Sequence, residues 1–154
     1  ILKDPHLGAF AVIYTTAVLL VQFGAWYQVF LTPRSLLIAL PAFILSRALV
    51  SLAITTFPSA RATGLASIFA GNSAKRTVKY TSVFFVILCL AAVFFVDIPA
   101  ALTILVLALG SYLWFYRMAR KYFGGLTGDL SGFYIVVCET LLLLAAAIIG
   151  GITA

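Results

Sequence analysis

The sequence predicts an all-α, polytopic transmembrane helix bundle with about five spans. Hydrophobic residues make up 64% of the 154 residues and charged residues only 9%. Mean hydropathy is +1.19, and the apolar residues gather in five long runs. A soluble domain carries about 25% charged residues, far more than this chain has to cover a water-facing surface.

A hydrocarbon core about 30 Å thick needs about 20 residues of helix at 1.5 Å each. The runs occupy residues 7–30, 35–57, 78–96, 98–118 and 130–152. They are too long for strands and lack a period-two alternation. Residues 1–154 read as a single transmembrane domain. The chain opens on Ile1 and a charged Lys3-Asp4-Pro5-His6 segment without the form of a signal peptide. The expectation is therefore that an N-terminal portion of the full protein precedes it.

The connections alternate in character. Those after the first and third runs are short, with Pro33 and Pro99 as helix starters. Those after the second and fourth are longer, glycine-bearing and basic. Five spans put Lys3, Arg61, Lys75, Arg76, Lys79, Arg117, Arg120 and Lys121 on one face and only Arg34 on the other. The Lys/Arg excess marks the cytoplasmic side, which predicts a multi-pass protein of the cell (inner) membrane with its active face in the cytoplasm. Trp26 and Tyr27 near one interface, and Trp114 and Tyr116 near the other, fit aromatic belts. The net charge of +6 either sets topology against anionic lipid or draws in an anionic substrate. The partner implied throughout is the lipid bilayer, with room left for a homo-oligomer. The basic residues are not arrayed with aromatics as a nucleic-acid surface. Cys89 and Cys138 lie inside apolar runs and read as small packing residues.

Two ionisable residues lie well inside apolar runs. Arg47 is ten residues before the basic end of the second run, and Glu139 is nine or ten residues into the fifth from the same side. Both therefore sit roughly 15 Å deep. Each costs at least about 2.5 kcal/mol facing lipid, so each is expected to face a cavity or a partner. Equal depth predicts a direct or water-bridged Arg47–Glu139 pair. Arg47, Ser51 and Thr55 form a stripe at i, i+4 and i+8. Asp129, Gly132, Val136 and Glu139 fall within an arc of roughly 80°.

The turn before the fifth run reads Gly124-Gly125-Leu126-Thr127-Gly128-Asp129. Asp129 reads either as a helix N-cap or as a ligand for Mg²⁺ beside a phosphate held on glycine amides at a helix start. No Lys follows the last glycine, so this is not a Walker loop. His6, the only histidine, is more often a bystander than a base, and Asp4 reads as a cap or a metal ligand. Ser59-Ala60-Arg61-Ala62-Thr63-Gly64-Leu65 is a second glycine-bearing basic turn suited to phosphate.

At these residues the chain resembles the cobalamin synthase family, the adenosylcobinamide-GDP ribazoletransferases or cobalamin-5′-phosphate synthases. The matching residues are Lys3, Asp4, Gly8 and Phe10 at the entry, Ser46 and Arg47 in the second run, then Ala60, Arg61, Gly64 and Leu65. The most specific match is Gly-Gly-x-Thr-Gly-Asp-x-x-Gly with a glutamate ten residues after the aspartate, met by Gly124, Gly125, Thr127, Gly128, Asp129, Gly132 and Glu139. The order holds from Lys3 to Glu139.

The resemblance implies a membrane enzyme, a Mg²⁺-dependent transferase joining adenosylcobinamide-GDP to α-ribazole or its 5′-phosphate with release of GMP. It further implies Asp129 and Asp4 as metal ligands, Arg61 and Arg47 on phosphate charge, and Glu139 orienting Arg47 or a metal-bound water. Lys3, Gly64, Gly124, Gly125, Thr127 and Gly128 become the phosphate-binding residues. Three features depart from the pattern. The acidic Asp/Gly-rich stretch expected before the Lys-Asp entry is absent from the sequence, His6 stands where arginine is common, and Ala62-Thr63 replaces a usual Pro-Glu. Competing readings are a small-solute transporter, disfavoured because residues 36–45 carry no ionisable group, a CDP-alcohol phosphotransferase relative, and a structural subunit, which leaves the glycine turn unexplained.

Overall fold

In the computed structural model, which describes residues 8–60 and 72–152, the chain forms five long helices. They are α1 (Ala9–Leu31), α2 (Pro33–Thr56), α3 (Asn72–Val96), α4 (Ile98–Phe123) and α5 (Gly128–Ile152). All five are long and apolar enough to cross a membrane, and no strand occurs among the described residues. The expected all-α bundle is what the chain forms. Helices satisfy every backbone group internally, which hydrocarbon demands.

Helix starts follow the predicted chemistry: Pro33 occupies the first turn of α2 and Pro99 that of α4. Two ends run past the apolar runs. α3 begins six residues earlier than hydropathy indicates, through Lys75 and Arg76, straight-chain residues that favour helix and reach for the interface. α4 continues five residues further, with Arg120 and Lys121 in its last turn against the negative end of the helix. Gly124, at φ +68°, closes it in the left-handed conformation.

α2 is the hub and packs against the other four helices. Its buried positions include Ser35, Ala39, Ala42, Ser46 and Ala53, and α5 offers Ala145, Ala146 and Ala147. Small side chains let helix backbones approach where no water-driven force pulls them together. Near the end of α5 an added Cβ on Gly150 would overlap the Ser35 side chain. α1 is peripheral: only Ala25 and Val29 are buried, while Phe10, Ile13, Leu20 and Phe23 point outward.

Two clusters fix which helix ends share a face. On one side, Phe57 at the end of α2 packs on Tyr112, Phe115 and Tyr116 of α4, and the Thr56 and Tyr112 hydroxyls lie 2.9 Å apart. Lys75, Arg76, Lys79, Arg117, Arg120 and Lys121 belong to this basic face. On the other side Arg34 pairs with Asp97 at 2.5 Å. Asp97 is buried, caps α4 by accepting from the Ala100 amide at 3.3 Å, and joins the two short connections. The one cation assigned to that face is thus neutralised within the fold. Asp97→Asn is expected to lower the apparent melting temperature of the detergent-solubilised protein by several degrees, because it leaves Arg34 unpaired and weakens a cap. An unchanged melting temperature would show the staple to be idle.

Candidate functional site

The expected midplane pair exists. Arg47 Nη1 donates to Glu139 Oε1 and to the Phe43 carbonyl at 3.1 Å. Ser46, beside Arg47 on α2, is completely buried; its one proton is shared between the Phe43 carbonyl at 2.8 Å and Glu139 at 3.2 Å, and its oxygen accepts from Arg47 Nη1 at 3.1 Å. Glu139 is buried between α2 and α5, whereas Arg47 leaves more than half of its side chain open. The carboxylate is thus an internal anchor, and the guanidinium is the accessible partner. Arg47 opens into a cleft of about 360 Å³ between α2 and α3, lined by Ser51, Thr77, Thr81 and Ser82 among apolar residues. Of the predicted polar stripe, Arg47 and Ser51 reach the cleft. Thr55 instead turns its hydroxyl back to the Leu52 carbonyl at 2.9 Å.

The glycine turn has a geometry that sequence spacing did not reveal. Gly124 and Gly125 both donate their amides to the Ala119 carbonyl. Leu126 then pairs with the segment after α2, its N–H donating to Pro58 O at 2.8 Å and its carbonyl accepting from Ala60 N–H at 3.1 Å. A Cβ on Gly125, at φ +150°, would come within 2.6 Å of Ala60 N and Pro58 O. The two glycines are therefore accounted for by helix termination and close backbone contact, and their amides are engaged.

Open among the described residues are the amides at the start of α5, Gly128 and Asp129, because first-turn N–H groups have no intrahelical acceptor. Thr127 caps the helix, accepting from Leu130 N–H at 3.2 Å. Of the two readings for Asp129, the cap therefore falls to Thr127. Asp129 stands in the first helical turn, exposed, with no hydrogen bond or ion pair among the described residues. It borders a shallow cleft of about 290 Å³ with Met118, Phe123, Leu130 and Phe133.

The arc that groups Asp129, Gly132, Val136 and Glu139 divides in three dimensions. Gly132 and Val136 line a separate groove of about 530 Å³ between α1 and α5, where Gln22 donates to Thr140 at 2.8 Å. Glu139 turns towards α2, and ten residues of helix put it about 15 Å from Asp129. Arg61 and Gly64, with Lys3, Asp4 and His6, lie outside the described residues. Ala60, the residue before Arg61, is hydrogen-bonded to the glycine turn.

Could these groups hold a divalent metal? Among the described residues no three His, Cys, Asp or Glu side chains converge. Asp129, exposed and unpartnered, fits as one oxygen ligand at a helix start. Glu139 does not fit a shared site, because its distance and its bonds to Arg47 and Ser46 remove it. Cys89 and Cys138 are buried and free, in keeping with packing roles.

The fold and the site define a multi-pass helical membrane protein, with an internal acid–base pair beneath a glycine turn on its basic face. Comparison with known proteins narrows this. The family described as Cobalamin-5-phosphate synthase matches residues 1–147, and the chain belongs to that family. An adenosylcobinamide-GDP ribazoletransferase of Lachnoclostridium phytofermentans is 35% identical over 99% of this chain and 58% of its own length. Proteins of the same name from Desulfitobacterium hafniense and Pseudomonas putida are 32% and 29% identical, covering 95% and 96% of this chain and 58% and 59% of theirs. The chain thus spans a little under three fifths of the length of these curated relatives. No solved structure matches it.

Proposed function

We propose that the protein is a membrane-bound transferase that joins adenosylcobinamide-GDP to α-ribazole, or to its 5′-phosphate, and releases GMP at the cytoplasmic face of the cell membrane. The observation that carries this reading is the docking of the glycine turn on Pro58–Ala60. It brings the start of α5, with Asp129, next to the segment leading into Arg61, on the same face as the basic ends of α3 and α4. Family membership and the relatives' shared name support the substrate class.

In the reaction an acceptor hydroxyl of the ribazole forms a bond to the phosphorus that carries cobinamide. The bond from that phosphorus to the GMP oxygen breaks, GMP departs with the electron pair, and the hydroxyl proton passes to solvent. Such transfer depends on positioning and charge neutralisation more than on covalent help. Lys75, Arg76, Lys79, Arg117, Arg120 and Lys121 raise the local concentration of the anionic substrate. The free amides of Gly128 and Asp129 suit a phosphate oxygen. Arg61 and Lys3 supply positive charge in this scheme, and Asp129 with Asp4 would hold Mg²⁺. When bound, that ion neutralises phosphate charge. Arg47 serves anionic oxygen deeper in the protein, held in position by Glu139 and Ser46.

The test follows GMP release from adenosylcobinamide-GDP by the full-length protein. Asp129→Asn is expected to lower turnover roughly 100-fold or more, equivalent to about 2.7 kcal/mol of transition-state stabilisation, and to raise the Mg²⁺ concentration needed. Undiminished turnover in Asp129→Asn and in Arg61→Ala would remove both residues from the mechanism.

A further inference from the structure

We infer that the cleft between α2 and α3 is an oxyanion subsite that holds a non-reacting phosphate ester on the outer edge of Arg47, apart from the reaction centre at the start of α5. The inference rests on the transferase reading for one of its two candidate ligands only.

Three observations carry it. Every hydrogen bond that Arg47 makes among the described residues leaves from Nη1, so Nε and Nη2 have no partner among those residues. That edge is the pair of parallel donors that a phosphate accepts from. Glu139 and Ser46 already neutralise and fix the other edge, so the guanidinium is presented rather than spent. Secondly, the cleft is built around it: the hydroxyls of Ser51 on α2 and Thr81 on α3 line the cleft and make no hydrogen bond among the described residues. The open donors of Arg47, roughly 15 Å below the membrane surface, are costly without an acceptor. Ile44, Val78 and Phe85 supply apolar wall. Thirdly, Arg47 itself lines the cleft, with more than half of its side chain open while Glu139 behind it is buried.

Distance separates this subsite from the reaction centre. Glu139, which touches Arg47, is ten residues along α5 from Asp129, about 15 Å. One phosphate cannot touch both Arg47 and a metal on Asp129, so the ester at Arg47 is a different one. Its chemistry is a phosphate attached to a less polar body. That describes the 5′-phosphate of the acceptor nucleotide, and equally an anionic phospholipid entering sideways.

Binding to the full-length protein in uncharged detergent separates the two sources. α-Ribazole 5′-phosphate is compared with α-ribazole, and phosphatidylglycerol with diacylglycerol, for the wild type, Ser51→Ala/Thr81→Ala and Ser51→Asp. Both variants leave the Arg47–Glu139 pair intact, and Ser51→Asp sets a carboxylate against the open guanidinium edge. A loss of about tenfold or more, confined to the phosphate-bearing member of one pair, is expected and names the source. Ser51→Thr, which keeps the hydroxyl, is expected to retain binding and so guards against misfolding. If both phosphate probes bind every variant as the wild type, or if phosphate-bearing and phosphate-free members fall together, the subsite does not exist. Absence of GMP release by the wild type, with phosphate-selective binding intact, would overturn the transferase reading and leave the subsite standing.

Discussion

Glu139→Gln is expected to destabilise the full-length protein by about 3–5 kcal/mol and to abolish most of its turnover. The substitution keeps shape and hydrogen-bonding capacity but strands the Arg47 guanidinium at membrane depth, and breaking one side of a buried pair exacts that much. Glu139 is buried and receives both Arg47 and the Ser46 hydroxyl, so the neutral side chain that replaces it stays against the guanidinium. A second variant separates charge balance from function. Arg47→Met/Glu139→Leu removes both charges and is expected to recover most of the stability while remaining inactive, because apolar replacement of a buried pair is often neutral. Denaturant titration in detergent reads the first effect and GMP release the second. A Glu139→Gln protein as stable as the wild type would mean that Arg47 finds another partner, and the carboxylate would lose its assigned role as anchor.

Gly125→Ala is the second substitution with a large expected effect. Its φ of +150° is strained for any residue with a Cβ, and the new carbon would lie 2.6 Å from Ala60 N and Pro58 O. Both are backbone atoms that cannot swing away. Strain alone costs about 1–3 kcal/mol, and the overlap forces the pairing between Leu126 and the Pro58–Ala60 segment apart. The Pro58–Ala60 segment is then released from the glycine turn, and turnover is expected to fall by about two orders of magnitude while the five helices persist. Circular dichroism together with GMP release distinguishes this from unfolding. Gly132→Ala is the matched control: it lies within α5 with nothing inside 4 Å of an added Cβ, so alanine's helix preference is expected to make it neutral or slightly stabilising. Equal losses at both positions would show that the close backbone contact is irrelevant.

Much of the architecture was legible in residue order because the membrane's demands are local. Hydropathy and length located the five spans, and the Lys/Arg distribution separated two faces. The energetic penalty of an isolated charge paired Arg47 with Glu139 before any packing was known, since that penalty applies wherever the helices sit. Residue order also ranked the glycine turn as special, but it assigned Gly124 and Gly125 to phosphate when the structure engages their amides on Ala119. It left Asp129 open between cap and ligand. Thr127 settled the capping, through a contact visible only in three dimensions.

Composition and periodicity by themselves determined five membrane-spanning helices in this chain, a basic face, and an acid and a base obliged to meet. Only the tertiary structure decided which way each helix turns about its axis. It sent Glu139 to α2 and Gly132 to the α1 groove, opened Arg47 towards α3, pinned Leu126 to Pro58–Ala60, and joined Arg34 to Asp97. The reason is that lipid and protein interior are equally apolar, so hydrophobicity carries no signal of inside against outside once a helix is within the membrane. Rotation is set instead by the close fit of small residues such as Ala42, Ala53 and Ala146, and that fit depends on partners far away in the sequence.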